Sequence, residues 1–380
     1  MKKVVVTGAA GLLGWHASAR LHAENCAARF KGSPLPYDLV RLDHAGFSDP
    51  VGLDRTIASA DLVLHFAGVN RGAEEEVEAA NPRIAAALAD AITRTGATPH
   101  LVYANSTHAA ADTPYGRSKR YAGERLAATG LGLTNLILPH IFGECARAYY
   151  NNVTATLINQ IIKGEEPTIN ADGTVHLLHA GDAARAAIDA GLAAELGDIS
   201  PAGRQTGIPA LYDTLLGFHR DYGANVYPDL RDNFSLALFN TYRAALYPDG
   251  FPRLLKLNSD ARGTLFEVAK GGGGGQTFAS WTEPGVTRGD HFHLRKVERF
   301  LVLEGDAIIR IRRVLGGRLW EYRVSGDAPA AVDMPTLHTH SIENIGSKPL
   351  LTLFWTHDIF DPANPDTYAD PVLGALNEQT

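Results

Sequence analysis

Cysteine is scarce in this sequence. Its 380 residues include two cysteines, Cys26 and Cys145, which lie in unrelated contexts and lack CxxC spacing. Disulfide frameworks and cysteine zinc sites use more cysteines at closer spacing, so neither is indicated. We therefore expect a reducing compartment, most simply the cytoplasm.

Long apolar runs and basic stripes are also lacking. No stretch approaches the ~18 apolar residues that a membrane-spanning helix requires, and Gly8, Gly11 and Gly14 interrupt the N-terminal apolar run before a signal-peptide core forms. The 35 lysines and arginines are outnumbered by 42 aspartates and glutamates, giving a net charge of −7. The sequence has no stripe of lysine and arginine that could neutralise a phosphate backbone, so we expect neither nucleic acid nor a membrane as a partner.

What the sequence does have is enough apolar residue for more than one core. Hydrophobic residues make up 45% of its 380 positions, which predicts two or three globular domains. The first part alternates short apolar runs with helical segments. Five runs read as buried parallel strands and two as helices: KKVVVTG, YDLVRLD, DLVLHFAG, HLVYANS and LTNLILPH, then NPRIAAALADAITRTG and TPYGRSKRYAGERLAATG. This repetition predicts an α/β doubly wound Rossmann-type domain over residues 1–249.

The pattern changes near Pro252. From there the apolar runs are short, rich in β-branched and aromatic residues, and separated by turn residues, which predicts an all-β barrel or sandwich over 250–370. Strand-like sequence flanks the glycine run 271–275, so we interpret it as a mobile loop inside this domain and not as a linker. Several prolines follow Asp361, which predicts little regular structure there and a tail over 371–380.

The N-terminus carries a glycine fingerprint in the right context. Gly8, Gly11 and Gly14 lie between a predicted strand and a predicted helix, where glycine permits a tight turn and a close approach to pyrophosphate. Asp43 ends the second strand, where a carboxylate can bind a ribose and disfavour a 2′-phosphate. A helix cap explains Asp43 equally well.

A second motif supplies acid–base chemistry. Tyr115 and Lys119 are four residues apart on a predicted helix, so they share a face, and the lysine charge can lower the tyrosine pKa. Ser106 ends the preceding strand and can bind a substrate carbonyl. Tyr121 and Arg125 show that such spacing also arises by chance. The full order of fingerprint, serine, tyrosine and lysine resembles the extended short-chain dehydrogenase/reductases over about residues 1–245.

That resemblance implies roles for individual residues. Tyr115 would be the general acid, Lys119 its partner and a ribose ligand, and Ser106 the substrate-positioning hydroxyl, with Thr107 as the alternative. The other implied cofactor-binding residues are Gly8, Gly11, Leu12 and Gly14 of the fingerprint, Asp43, Ala67 and Gly68 of HFAGVN, and Pro139. The resemblance implies NADPH, whereas Asp43 favours NADH, so we expect a reduced nicotinamide without choosing between the two.

The segment GVTRGDHFHLRKVERFLVLEG suggests a metal site. Residues two apart on a strand point the same way, so His291 and His293 can converge and Glu298 can face them from the next strand. His340 of PTLHTHSIEN completes a set of three imidazoles and one carboxylate, which suits a divalent metal, most simply zinc. The spacing resembles the cupin motifs. Leu337 replaces a usual glycine, so His338 is an alternative to His340.

The TRGDH stretch leaves another role open for the first histidine. It resembles a strand of metal-free sugar epimerases on the same fold, in which the histidine acts as a base. His291 is therefore either a ligand or a base.

Both modules together resemble one family along nearly the whole chain. The matching stretches are AGVNR, TPYGRSK, DARGTLFE, VSGD and FDPANPDTY. They resemble bifunctional capsule and O-antigen enzymes that act on a UDP-4-keto-6-deoxy-N-acetylhexosamine. The resemblance implies C3 epimerisation by a cupin domain, then NAD(P)H-dependent C4 reduction to UDP-2-acetamido-2,6-dideoxy-L-talose, towards UDP-N-acetyl-L-fucosamine. It also implies a homodimer through the cupin.

Two other functions remain compatible with the sequence. The chain can be a single-step nucleotide-4-ketosugar reductase whose cupin dimerises or binds sugar. It can also be a nucleotide sensor without activity, although the set of Ser106, Tyr115 and Lys119 argues against that.

Overall fold

The computed structural model describes residues 1–261 and 263–374. The chain divides into two compact units, Met1–Thr156 with Ala171–Ile208 and Leu157–Asn170 with Pro209–Thr380. Residues 375–380 of the predicted tail lie outside the described residues. No helix in the described ranges is long and apolar enough to cross a membrane.

A six-stranded parallel sheet forms the centre of the first unit. Its order is β2-β1-β3-β4-β5-β8. The strands are β1 Lys2–Thr7, β2 Tyr37–Leu42, β3 Leu62–His65, β4 His100–Ser106, β5 Leu133–Leu138 and β8 Gly197–Ile199. A smaller sheet, β6-β7-β9, contains β6 His140–Phe142, β7 Thr174–His179 and β9 Arg204–Gly207. The five predicted strands are therefore confirmed.

Helices cover both faces of the parallel sheet. They are α1 Leu12–Phe30, α3 Pro50–Ile57, α4 Glu74–Thr95, α5 Pro114–Ala127 and α7 Ala180–Ala193. The unit also contains α2 His44–Ser48, a 3₁₀ turn at Thr107–Ala110 and the first residues of α6 Val153–Lys163. On one face Val4 and Val6 pack with α1 and α7, and on the other Val5 and Val63 pack with α3, α4 and α5. Burial on both faces explains why the strand sequences lack polar alternation, and it confirms the Rossmann-type prediction.

Helix α4 contains two stretches that the sequence predicts separately as helical. The acidic AEEEVEA is typical of a solvated helix face and precedes the helical NPRIAAALADAITRTG. In the structure both belong to one helix, which starts at Glu74 and contains Pro82. The acidic residues Glu74, Glu75 and Glu76 occupy its first turn, where negative charge is favourable at a helix N-terminus. Asn81 therefore lies inside the helix.

Two five-stranded antiparallel sheets form most of the second unit. Their orders are β11-β20-β17-β22-β15 and β19-β18-β21-β16-β23. Residues from both sheets, such as Phe300 and Ile309, share one apolar core. The all-β prediction is confirmed, whereas a closed cupin barrel is not. The strands are β10 Val226–Tyr227, β11 Arg253–Leu254, β12 Asn258–Asp260, β13 Gly263–Leu265, β14 Lys270–Gly271, β15 Gln276–Thr282, β16 Thr287–Phe292, β17 Glu298–Glu304, β18 Asp306–Arg313, β19 Leu319–Ser325, β20 Ala330–Met334, β21 His338–Asn344, β22 Leu350–Thr356 and β23 Tyr368–Ala369.

The segment after Asp361 is more ordered than expected. Strand β23 pairs with β16, and Val372 is fully buried. The prediction of little regular structure is therefore wrong for residues 368–369. The buried Arg312 explains the order, because its guanidinium donates to the carbonyls of Pro371 and Val372 at 3.0 Å. The glycine run connects β14 to β15 within the second unit.

Helices α8 Ile208–Gly223 and α9 Asn233–Leu246 also belong largely to this unit. A buried ion pair of the sheet contacts α8 directly. Arg299 donates to both carboxylate oxygens of Asp333, at 2.6 and 2.9 Å, and neither side chain is exposed. Tyr222 of α8 and Tyr227 of β10 donate to the same carboxylate. The domain boundary at 249 remains a prediction from the sequence.

Replacing Asp333 by asparagine should strongly destabilise the second unit. Burial would raise the pKa of Asp333, but Arg299 holds it at about 2, so the pair is ionised at neutral pH. Asp333→Asn leaves the Arg299 charge buried and should cost roughly 3–5 kcal/mol, measured as the unfolding transition of this unit in denaturant. The carboxylate contribution is present above its ordinary pKa and is lost as the pH falls through about 2. Exposed Asp327→Asn is the control, and an equal loss in both variants contradicts the assignment.

Candidate functional site

The glycine fingerprint forms the tight turn between β1 and α1. Gly8 has a φ of +65°, and a Cβ there would lie 2.7 Å from the backbone nitrogen of Ala67. A Cβ on Gly14 would lie 2.3 Å from the carbonyl oxygen of Gly8. Gly11 caps α1 without a side chain, and Leu12 opens the helix with no acidic residue in the first turn. These backbone amides and the helix dipole suit a bound phosphate.

The turn after β3 is fixed by residues that sequence reasoning missed. Asn81 accepts from the Val69 amide at 2.9 Å and donates to the Val69 carbonyl at 2.8 Å. It also donates to Ser118. A Cβ on Gly68 would lie 2.8 Å from the Asn81 side-chain oxygen, so this glycine is required for the contact. In the sequence Asn81 is a single polar residue beside an alanine-rich segment, which gives no sign of these hydrogen bonds.

Thr7 and His65 link β1 to that turn and were also missed. The Thr7 hydroxyl lies 2.9 Å from Nδ1 of His65 and accepts from the Ala67 amide at 3.2 Å. Burial, with the nearby Lys119 charge, lowers the pKa of His65 to about 3. His65 is therefore neutral and serves to position the Ala67 turn.

Asp43 lies directly after β2, beside the fingerprint. Its Oδ1 accepts from the Gly46 amide at 2.9 Å and caps α2. The helix-cap interpretation is therefore realised. Because a carboxylate has a second oxygen, the cap leaves the ribose-binding prediction open.

Ser106 and Tyr115 lie together at the end of β4. Ser106 is the last residue of that strand, and Tyr115 lies in the first turn of α5, which Thr113 caps. Burial raises the pKa of Tyr115, and its hydrogen bond with the Ser106 side chain opposes that rise. The sequence predicted a pKa lowered by Lys119. The structure differs because burial dominates, and the phenol is therefore protonated at neutral pH.

Lys119 is buried and has specific partners. Its Nζ donates to the Ala104 carbonyl at 2.5 Å and lies 4.5 Å from the centre of the Tyr103 ring. Burial lowers the pKa of Lys119 to about 7. Its ammonium form therefore predominates below about pH 7 and is lost above it.

The predicted cofactor residues share one edge of the sheet. Parallel pairing aligns Thr7 with Leu42 and His65, and Ser106 with Leu138. Gly8, Asp43, Ala67 and Pro139 follow these aligned strand ends. The strand order reverses between β1 and β3, and ligands of such sheets bind at this kind of switch point.

In the second unit the four predicted ligands converge. His291, His293, Glu298 and His340 offer ligand atoms that all lie within 4.8 Å of one another. Nε2 of His293 lies 3.0 Å and Nε2 of His340 lies 3.3 Å from the same Glu298 oxygen. His291 of β16 pairs directly with His340 of β21, which explains their approach. His338 lies elsewhere, with its ring centre 4.9 Å from that of Tyr247.

Ring orientation fits a cation. Nδ1 of His293 faces the Asp366 carbonyl at 2.6 Å, and Nδ1 of His340 faces the His338 carbonyl at 3.1 Å. Carbonyl oxygens only accept, so both Nδ1 atoms carry protons. An Nε2 lone pair on either ring would then point at a carboxylate, which is favourable only with a cation or proton between them. His340 Nε2 is buried with no hydrogen-bond partner of good geometry among the described residues.

Charge in this cluster also suits a metal. Burial, with His340 and His293, lowers the pKa of His291 to about 3, and burial lowers that of His340. Burial would raise the pKa of Glu298, but His293 and His340 hold it well below its usual range. The neutral imidazoles of His291 and His340 and the ionised carboxylate of Glu298 are in the forms that zinc binds.

The cluster opens into a cavity of about 440 Å³. His291, His293 and Glu298 line it together with Arg288 and Lys296. Aromatic rings also line it, including Phe278 and Phe354, which stack at 4.9 Å. The volume is in the range of small-molecule sites, and the charged side chains that line the cavity are the basic Arg288 and Lys296 and the acidic Glu298 and Asp358.

Fold and site together define a nucleotide-binding enzyme of the epimerase and dehydratase class. A family model described as the NAD dependent epimerase/dehydratase family matches residues 4–198, and the chain belongs to this family. Its description supports a nicotinamide cofactor. A second model, described as the polysaccharide biosynthesis C-terminal domain, matches residues 258–368.

Particular relatives extend over nearly the whole chain. A UDP-2-acetamido-2,6-beta-L-arabino-hexul-4-ose reductase of Pseudomonas aeruginosa is 32% identical over 376 residues, covering 97% of this chain and 98% of that protein. The capsular polysaccharide assembling protein CapF of Staphylococcus aureus has a TM-score of 0.59 and 29% identity, covering 97% and 100%. The UDP-N-acetylglucosamine 4-epimerase of Bacillus cereus, with a TM-score of 0.51, 18% identity and coverage of 66% and 98%, shows similarity of fold alone.

Proposed function

We propose that the protein is a bifunctional sugar nucleotide enzyme of polysaccharide biosynthesis. The second unit epimerises C3 of a UDP-4-keto-6-deoxy-N-acetylhexosamine, and the first reduces C4 with NADPH or NADH. The observation that carries this proposal is the ligand cluster at the cavity, present in a chain that also holds Ser106, Tyr115 and Lys119. The names of the reductase and capsule relatives support the substrate class.

In the reduction, the chain supplies binding and a proton. The glycine turn at Gly8 and the N-terminus of α1 would bind the pyrophosphate of the cofactor, which when bound would supply the hydride for C4. Ser106 positions the C4 oxygen by a hydrogen bond. Tyr115, protonated at neutral pH, donates its proton to that oxygen as the carbonyl becomes a hydroxyl. Lys119 lies on the same helix, four residues or about one turn after Tyr115.

In the epimerisation, the C4 ketone makes the C3 proton acidic. Transfer of that proton to a base would give an enolate whose charge spreads onto the C4 oxygen, and return of a proton to the opposite face of C3 would complete the inversion. His291, His293, Glu298 and His340 would hold a divalent metal, most simply zinc, which when bound supplies Lewis acidity. Arg288 and Lys296 in the cavity suit the diphosphate. Reduction of the ketone would remove the acidity and so make the sequence of steps directional.

A single-step ketosugar reductase is the second candidate. The Pseudomonas aeruginosa relative is named for reduction alone, which favours it. The direct test is product NMR after incubating candidate UDP-4-ketosugars with enzyme and each nicotinamide. Inversion at C3 together with reduction at C4 supports the bifunctional proposal. Reduction with the C3 configuration retained supports the second candidate.

Asp43 should determine whether the enzyme prefers NADH or NADPH. Because its carboxylate lies beside the fingerprint, it should repel a 2′-phosphate, and Asp43→Ala should raise kcat/KM for NADPH relative to NADH by roughly tenfold, equivalent to 1.4 kcal/mol. Asp49→Ala is the control, since Asp49 is another exposed helix cap. An unchanged cofactor ratio removes Asp43 from the ribose site.

The second unit should also form the homodimer. Strand β15 ends its sheet and exposes Phe278 and Trp281, and such an edge can pair with a second copy. Trp281→Lys should shift the wild-type dimer towards monomer in light scattering, because lysine blocks edge pairing. Phe30→Lys, at an exposed site in the first unit, is the control. A dimer that persists in Trp281→Lys places the interface elsewhere.

A further inference from the structure

The segment Pro365–Val372 closes over the ligand cluster. The Asp366 carbonyl accepts from Nδ1 of His293 at 2.6 Å. Ala369 pairs with His291 in the β16 and β23 ladder. Two of the four candidate ligands therefore have backbone contacts with this segment.

Asp366 makes a second set of contacts through its side chain. Its carboxylate accepts from three consecutive amides, those of Leu294 at 3.1 Å, Arg295 at 3.0 Å and Lys296 at 2.8 Å. The residue is 6% exposed. An aspartate that is almost buried and satisfied by three amides fixes the loop between His293 and β17.

The same contacts set the position of Lys296. Its Nζ donates to the Pro365 carbonyl at 2.7 Å and lies 3.3 Å from the Thr367 hydroxyl, while its side chain lines the cavity. Asp366 therefore lies between a candidate ligand on one side and a cavity cation on the other.

We propose that Asp366 is the positioning residue of the candidate metal centre, holding His293 in the tautomer whose Nε2 binds the cation and ordering residues 294–296 beneath the cavity. The proposal rests on the metal-dependent epimerisation proposed above. The Asp366 carbonyl orients the His293 ring, because a histidine that binds a metal through one ring nitrogen needs a partner for the other. The Asp366 carboxylate holds that carbonyl in place, since it is itself anchored by the amides of residues 294–296.

The alternative is that Asp366 serves only to let the backbone turn at this position. Its φ of +45° lies in the left-handed region, which aspartate, asparagine and glycine tolerate better than other residues. Glycine separates the two roles. Asp366→Gly keeps the backbone conformation accessible and removes the carboxylate.

The experiment measures Zn²⁺ affinity of the full-length protein after chelation, by competition with a chromophoric chelator. Asp366→Gly should weaken Zn²⁺ binding about 10- to 100-fold, and Asp366→Asn, which keeps one acceptor oxygen, should weaken it less. The control is Asp361→Gly, since Asp361 is exposed and caps only the Ala363 amide; its affinity should match wild type. Hydrogen exchange of the 294–296 amides should also quicken in Asp366→Gly.

The outcomes separate the two proposals. Wild-type affinity in Asp366→Gly, or loss equal to that of Asp361→Gly, overturns the positioning role. If wild type binds Zn²⁺ and Asp366→Gly does not, yet wild type exchanges no C3 hydrogen, the positioning role stands and the epimerase function fails. If wild type binds no Zn²⁺, the positioning role falls too.

Discussion

In deuterated water without nicotinamide, the wild-type enzyme and Tyr115→Phe should both exchange the C3 hydrogen of the UDP-4-ketosugar for deuterium. In the proposed bifunctional mechanism enolisation needs only the second unit, whereas Tyr115 acts in reduction. His291→Ala and Glu298→Ala should each slow this exchange by about 10²-fold or more, because each removes a member of the cluster that lines the cavity. Proton NMR of the C3 position follows the exchange directly.

Controls make this result specific. Glu304 lies on the same strand as Glu298 but is exposed, so the Glu304→Ala variant should exchange the C3 hydrogen at the wild-type rate. Both cluster variants should still reduce a ketosugar supplied with the correct C3 configuration. Chelation should mimic the variants if His291 is a ligand, and should have little effect if it is a base. A wild-type enzyme that exchanges no C3 hydrogen would favour the single-step reductase.

The strands of the first unit were predictable because each carries its own signal. Residues such as Val5 and Val63 are buried on a sheet covered on both faces, and burial of this kind leaves uninterrupted apolar runs in sequence. The glycine spacing also predicted the turn after β1 correctly, because the backbone itself requires glycine there. Gly8 and Gly14 each meet backbone atoms so closely that no side chain fits.

Contacts between distant segments could not be predicted in this way. Asn81 and Thr7 position the Ala67 turn through hydrogen bonds whose partners lie 12 and 60 residues away. Tyr222 donates a hydrogen bond to Asp333, a partner 111 residues distant. The sequence contains these polar residues but not their pairing.

The ligand cluster shows both cases. Alternation along β16 and the following residue predicts that His291 and His293 share a face. The choice of His340 over His338 depends on pairing of β21 with β16, which only the fold supplies. Asp366 was missed because a proline-flanked segment gives no sign that one of its aspartates will be buried.

Tyr115→Phe should lower hydride transfer by about 10²- to 10⁴-fold while leaving cofactor binding nearly unchanged. The substitution removes the hydroxyl that we propose as the proton donor and keeps the ring, which is packed near His108 with 6.2 Å between ring centres. The raised pKa of Tyr115 keeps that hydroxyl protonated at neutral pH in the wild type. Single-turnover oxidation of the nicotinamide, followed at saturating ketosugar, measures the step.

Tyr121→Phe is the matched control for this variant. Tyr121 lies on the same helix, is 45% exposed, and has Arg125 four residues later, so it repeats the spacing without the buried position. It should react at the wild-type rate. If Tyr115→Phe also retains that rate, Tyr115 is not the acid, and Ser106, its hydrogen-bond partner at the end of β4, becomes the remaining hydroxyl positioned to protonate the C4 oxygen. If both variants lose activity equally, the effect comes from the helix and not from the phenol.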